Sequence, residues 1–311
     1  MRAIIPVARF HPFLTSLFEK VGIRNMLKRV NKGESQMLNI GPHLSIAKGF
    51  KKAGEEALLV NANTFQFFTR NPRGGKAKAL DQKDVDGLVV IMKEHHFAPL
   101  LAHAPYTLNM CSAKPEIREF AQMVFKEDLA RLENLPCELY NFHPGNHLGQ
   151  GVEKGIELIL QILNDEIWEG QKTTVILETM SGKGTEIGRS FEELKTIIEG
   201  VTQKEKMGIC IDTCHIYSGG YDIVGNLEAV LEDFDRIIGI NYLKCLHLND
   251  SMMPYNSHKD RHEKIGFGTL GVDTFQKIVT YPSLKGLPFF LETPQENTLD
   301  YKKEIDLLRS F

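Results

Sequence analysis

Two stretches of this chain carry the residue types that do chemistry. In "GICIDTCHIYSGGYD", Gly208 to Asp222, an apolar run stops at Asp212 and His215 follows three residues later. Cys210 and Cys214 flank the acid, so a thiolate zinc site, a carboxylate and imidazole site, and a metal-free strand end all fit this stretch alone. In "SHKDRHEKIGFG" an Asp260-x-His262 pair sits in a long polar segment. A solvated loop explains Lys259 and Lys264 there, but explains the pair less well. Further apolar runs end at His103, His143, Glu178, His247 and Glu292. With Asp212, His215, Asp260 and His262 these give five imidazoles and four carboxylates. The set exceeds one tetrahedral site and fits two or three ions sharing a bridging carboxylate. Imidazole and carboxylate donors suit Zn²⁺, Mn²⁺ or Fe²⁺, and a His-rich set favours zinc. Clustered ions serve phosphoryl chemistry, since one lowers the pKa of bound water to ~7 and others stabilise the attacked phosphate and leaving oxygen.

The elements that must position these residues recur along the chain. Eight apolar runs end in polar or turn-forming residues: "MLNIGPH" to His43, "TFQFFTR" to Arg70, "APLLAH" to His103, "ELYNFHPG" to His143, "TVILET" to Glu178, "GICIDTCH" past Asp212, "YLKCLHLND" past His247 and "PFFLET" to Glu292. The ends are mostly 30 to 45 residues apart, room for a strand, a helix and two loops. "DQKDVDGLVVIMKEHH", "KPEIREFAQMVFKEDLARLENL", "VEKGIELILQILNDE", "SFEELKTIIEGV" and "NLEAVLEDFDRII" carry apolar residues at helical spacing. Ser190 and Glu193 stand as a capping box. Doubly buried strands alternating with amphipathic helices predict a parallel sheet, and eight units predict a single-domain α/β protein, a closed (β/α)8 TIM barrel. Its active site lies where the strands end, so the polar terminators converge. One strand ending in His is ordinarily a hydrogen-bonded structural residue; six successive ligand-type terminators are not explained that way.

The chain has 311 residues, 42% hydrophobic and 25% charged, an ordinary soluble globular composition. Five cysteines without a regular framework argue against a secreted disulfide scaffold and for a reducing cytosol. No apolar run approaches the ~20 residues that span a bilayer. Residues 1–36 hold seven Lys/Arg against Glu19 and Glu34. "KGESQM" can be encoded by a purine-rich ribosome-binding sequence at ordinary spacing from a start codon at Met37. We therefore expect residues 1–36 to be an over-called or disordered extension and 37–311 to be the barrel. Without them 30 basic residues face 38 acidic ones, a balance that opposes nucleic-acid binding unless bound cations offset it. Four carboxylates with three Zn²⁺ would make the pocket about +2.

From Met37 onward, "NFHPGNH", "GICIDTCHIYSGGYD", "HLNDS", "DRHEKIGFG" and "LET" occur in an order that resembles the endonuclease IV family of apurinic/apyrimidinic endonucleases. The resemblance implies a barrel that cleaves DNA 5′ to abasic sites, leaving a 3′-hydroxyl and a 5′-deoxyribose phosphate. It implies three zinc ions: one on His103, His143 and Glu178, a second on Glu178, Asp212, His247 and Glu292, and a third on His215, Asp260 and His262. Glu178 bridges, and a metal-bound hydroxide is the nucleophile. The substrate implied is double-stranded DNA with abasic sites in a bacterial cytosol. A minor-groove clamp requires no partner subunit, so a monomer with no protein partner required and no membrane is expected.

For DNA binding, "TRNPRGGKAK" is expected to place Arg70, Arg73, Lys76 and Lys78 on the active-site face, near phosphates. The resemblance puts Arg73 and Tyr106 where side chains enter the DNA stack. Gly74 and Gly75 stand where bacterial relatives carry an aromatic residue. An abasic nucleotide lacks stacking, so extruding it costs least. His43 reads as hydrogen-bonded support, His147 as a non-ligand, and His11, His95, His96 and His258 as surface residues. Cys210 reads as a core filler beneath the metals and Cys214 as their neighbour. The alternatives are a metal-dependent sugar isomerase or epimerase on the same barrel, and a DNA-damage binder without hydrolysis. The third ligand set and the basic loop argue against the first, and the complete ligand set against the second.

Overall fold

The computed structural model describes residues 37–311, and the reading of residues 1–36 lies outside the described residues. Eight parallel strands alternate with helices: β1 (Ile40–Pro42), β2 (Gln66–Phe68), β3 (Leu101–His103), β4 (Leu139–Phe142), β5 (Thr174–Glu178), β6 (Met207–Asp212), β7 (Leu243–His247) and β10 (Phe289–Leu291). β1 pairs with β10, and the order runs round through β7, β6, β5, β4 and β3 to β2. A parallel bridge between His43 and Gln66 joins β1 to β2, with the Leu44 amide donating to the Gln66 carbonyl at 2.8 Å. The sheet closes at that seam into the expected (β/α)8 barrel.

The strands are short and buried on both faces, which is why they read as nearly unbroken apolar runs. Leu101, Leu139, Ile176, Cys210, Cys245 and Phe290, one per strand, form a separate buried cluster inside the barrel. Five of these stand two residues before His103, Glu178, Asp212, His247 and Glu292. Strand alternation therefore aims the polar terminators into the barrel mouth, about 6.6 Å above this apolar floor. Cys210 is part of the floor.

The outer ring contains α1 (Phe50–Leu59), α2 (Gln82–Glu94), α3 (Pro115–Leu132), α4 (Val152–Glu166), α5 (Phe191–Gly200), α7 (Leu227–Ile237), α8 (Val272–Thr280) and α9 (Tyr301–Arg309). Ser190 caps α5 by accepting from the Glu193 amide at 3.2 Å. Glu193 does not complete the predicted box; its carboxylate reaches back to the Gly188 amide at 2.8 Å. Two elements have no periodic signal. α6 (Thr213–Gly219) starts where β6 ends, and a small antiparallel pair joins β8 (Asp250–Ser251) to β9 (His262–Glu263). α9 closes the chain against β1: Arg309 Nη2 donates to the Leu38 carbonyl at 3.2 Å and to Asn63 Oδ1 at 2.9 Å. Among the described residues no helix is long and apolar enough to cross a membrane.

Candidate metal centre

The nine side chains singled out by type meet at the C-terminal mouth of the barrel in three groups whose ligand atoms lie within 4.8 Å of one another. His103, His143 and Glu178 make one group. Glu178, Asp212, His247 and Glu292 make the next, and His215, Asp260 and His262 the third. Their separations are informative. His103 Nε2 and His143 Nε2 each lie 3.3 Å from Glu178 Oε2. His215 Nε2 and His262 Nε2 each lie 3.3 Å from Asp260 Oδ1. A tetrahedral zinc with bonds of about 2.0–2.1 Å sets its ligands about 3.3 Å apart. The Nε2 atoms of His215 and His262 are buried and make no hydrogen bond. They converge beside a carboxylate without being its partners, which is the arrangement of donors that share an ion.

The second ring nitrogens are accounted for in the same way. His103 Nδ1 faces the Ala104 carbonyl at 2.6 Å and His215 Nδ1 the Thr179 carbonyl at 2.9 Å. A carbonyl only accepts, so the proton sits on Nδ1 and the Nε2 lone pair points into the site. The carboxylates are held as well. Asn141 Nδ2 donates to Glu178 Oε2 at 2.5 Å, and Asn249 Nδ2 to Asp212 Oδ2 at 2.7 Å. Asn249 Oδ1 accepts from the Glu292 amide at 2.9 Å, so one buried amide ties β6 to β10.

The electrostatics call for cations. Burial alone would raise the Glu178 carboxyl, yet His247 and His143 hold it well below the usual range. Burial would lower His247, but Glu292 and Glu178 carry it up to about 10. His215 rises well above the ordinary imidazole value against burial, chiefly through Asp212. Both imidazole shifts have the same cause, an excess of buried carboxylate that favours positive charge in the mouth, the charge a divalent ion would supply.

The third group is assembled by local devices. Asp212 caps α6 by accepting from the His215 amide at 2.8 Å, which turns His215 into the mouth. The segment before Asp260 is pinned to α6: the His258 amide donates to Ser218 O at 2.9 Å and the Asn256 amide to Tyr217 O at 3.1 Å. His258 is exposed, as expected, and its Nδ1 also donates to Ser181 O at 3.0 Å. Cys214, with Asp212 and His262, forms a rival donor group. Burial pushes its thiol up to about 11, and Sγ donates to the Arg261 carbonyl at 3.6 Å, so it fastens the loop. His147 accepts from the Gly151 amide at 3.1 Å, a support for the start of α4.

The mouth opens as a cavity of about 280 Å³ lined by Tyr106, His143, His215, Asp260, Arg261, His262 and Glu292. Tyr106 is 63% exposed, with its ring 6.2 Å from that of His143. Arg261 is a lining residue the sequence reading passed over, although it stands between Asp260 and His262 in the quoted motif. Arg73, Lys76 and Lys78 are exposed. Arg70 is a correction. Its side chain is fully buried, paired with Asp128 and 3.1 Å from Glu127, and it donates to the Gly75 carbonyl at 2.6 Å. It staples the basic loop to α3 and cannot meet a phosphate. The signal was present in Asp128, an acid on the buried face of a helix.

The xylose isomerase-like TIM barrel family matches residues 55–311. A relative from Alkaliphilus oremlandii named "Probable endonuclease 4" is 60% identical over 88% of this chain and 97% of its own length. The chain belongs to the endonuclease IV family. A relative of the same name from Methanosphaera stadtmanae is 58% identical over 88% of this chain and 99% of its own. The solved endonuclease IV of Thermus thermophilus is 30% identical, with a TM-score of 0.78 over 88% of this chain and 98% of that one. A D-tagatose 3-epimerase-like protein, 19% identical with a TM-score of 0.61, shares the fold alone.

Proposed function

We propose that this chain is a DNA-repair endonuclease that hydrolyses the phosphodiester bond 5′ to abasic sites, leaving a 3′-hydroxyl and a 5′-deoxyribose phosphate. The observation that carries the reading is the convergence of nine ligand-type side chains in three groups, with donors about 3.3 Å apart. His103, His143 and Glu178 would hold one Zn²⁺, Glu178, Asp212, His247 and Glu292 a second, and His215, Asp260 and His262 a third, with Glu178 bridging. Bound zinc supplies Lewis acidity toward phosphate oxygen and lowers the pKa of water.

The protein's own residues do the rest. Asn141 and Asn249 keep Glu178 and Asp212 oriented, so little reorganisation is needed when substrate enters. Arg73, Lys76 and Lys78 contact backbone phosphates, and Arg73 and Tyr106 enter the stack where the base is missing. The apolar floor of the barrel excludes water beneath the site. A sugar epimerase of the same fold is disfavoured by the third donor group and the basic loop. The test is a duplex carrying one tetrahydrofuran abasic analogue, incubated with zinc-loaded and chelator-stripped protein. Cleavage 5′ to the analogue that requires the metal supports the reading, and no incision at any zinc loading rejects it.

A further inference from the structure

β2 contributes none of the nine donors, yet one of its side chains touches two of them. Phe65 and Phe67 pack outward into the main core. Alternation turns Gln66 inward, where it is fully buried. Packing needs no carboxamide there, because methionine fills much the same volume, and a buried amide is costly unless bonded. Its oxygen lies 2.6 Å from His247 Nε2. Its nitrogen lies 2.6 Å from Glu292 Oε1 and 2.7 Å from His43 Nδ1.

The orientation of the amide is fixed by chemistry. Reversed, its oxygen would face the Glu292 carboxylate, two acceptors without a proton between them. Gln66 Oε1 therefore faces His247, and His247 Nε2 must carry hydrogen. Nδ1 is left to the site, 3.1 Å from Glu178 Oε1 and 3.4 Å from Glu292 Oε2. Glu292 is sorted by the same amide, which occupies Oε1 and leaves Oε2 beside His247. We infer that Gln66 is a positioning residue for the second donor group, selecting Nδ1 of His247 and Oε2 of Glu292 as the atoms presented to a metal. This rests on the metal reading above and adds to it a residue from the barrel seam, since the Gln66 backbone also bridges to His43.

The test uses the full chain, zinc, and the variants Gln66→Met and Gln66→Glu. Zinc affinity is measured by competition with a chromophoric chelator, and the His247 ring nitrogens by long-range ¹⁵N–¹H correlation of the zinc-loaded protein. Gln66→Met is expected to weaken the binding of one ion by about 10–100-fold and to lose the uniform Nε2–H signature, with the metal-free melting temperature unchanged. Gln66→Glu keeps an acceptor opposite Nε2 and is expected to retain the signature, while its second oxygen, set against Glu292 Oε1, is expected to weaken zinc binding. Loss of the signature in this variant would overturn the assignment. Wild-type affinity and signature in Gln66→Met would overturn the assignment alone, as would a drop in metal-free stability with zinc affinity intact. A wild-type chain that binds no zinc would overturn the metal reading together with it.

Discussion

The ligand-type side chains around Glu178 and those around Asp260 stand on very different supports. Glu178, Asp212 and His247 are fully buried at the ends of β5, β6 and β7, fixed by ladders on both sides. Asp260 is 36% exposed in a loop pinned to α6 carbonyls and the Cys214 thiol, and His262 stands in β9, a two-residue strand paired only with β8. Strand ends hold a donor through the rigidity of the whole barrel. The loop holds its donors through a few local bonds, and its ion should leave first.

The strongest challenge to this contrast is Glu178→Gln. It should abolish turnover, a loss of more than about 10³-fold, and reduce zinc per chain, because one carboxylate serves two groups. Elemental analysis alongside the incision assay checks both, and full zinc with full activity would remove the bridge. Asp260→Asn should be milder, lowering activity by about 10²-fold while the two groups on the strands keep zinc. Loss of all zinc from this variant would show that the groups are not separable. In the wild type the same order should appear on titration with a chelator, with one ion released before the others.

Arg70→Met asks whether a loop can be made as firm as a strand. Removing it leaves Asp128 buried with only Thr69 and Tyr140 as donors, so urea unfolding should report a loss of about 3–5 kcal/mol, with zinc content unchanged. A variant of wild-type stability would show that the staple is redundant. The smallest effect is expected for Cys214→Ser. The hydroxyl can still donate to Arg261 O, so zinc content should hold and stability should move by no more than about 1 kcal/mol. Loss of an ion there would make the thiol a ligand.

The same contrast governs what could be read from the chain. Strand-borne donors are legible because an apolar run ending in His or Glu breaks a regular pattern, and the barrel rule says where such ends meet. Asp260 and His262 are noticeable by type, but nothing local states that α6 would bring His215 to them. That depends on an Asp212 cap spanning strand and helix. Arg70 shows how the inference fails. A basic residue in a basic loop suggests phosphate, and only the fold sets its guanidinium against Asp128. Gln66, Asn141 and Asn249 each interrupt an apolar run with an amide. That was the available clue, but their partners lie on other strands, beyond what spacing can show.

The tie from Arg309 to Leu38 has a practical side. Leu38 precedes β1 and Arg309 ends α9, so both lie at the barrel end opposite the donors. A surface linker joined after α9 would hold the molecule with its mouth facing outward. A short peptide spanning Arg309 to Leu38 would permit new termini elsewhere in the ring without disturbing a strand that carries a donor.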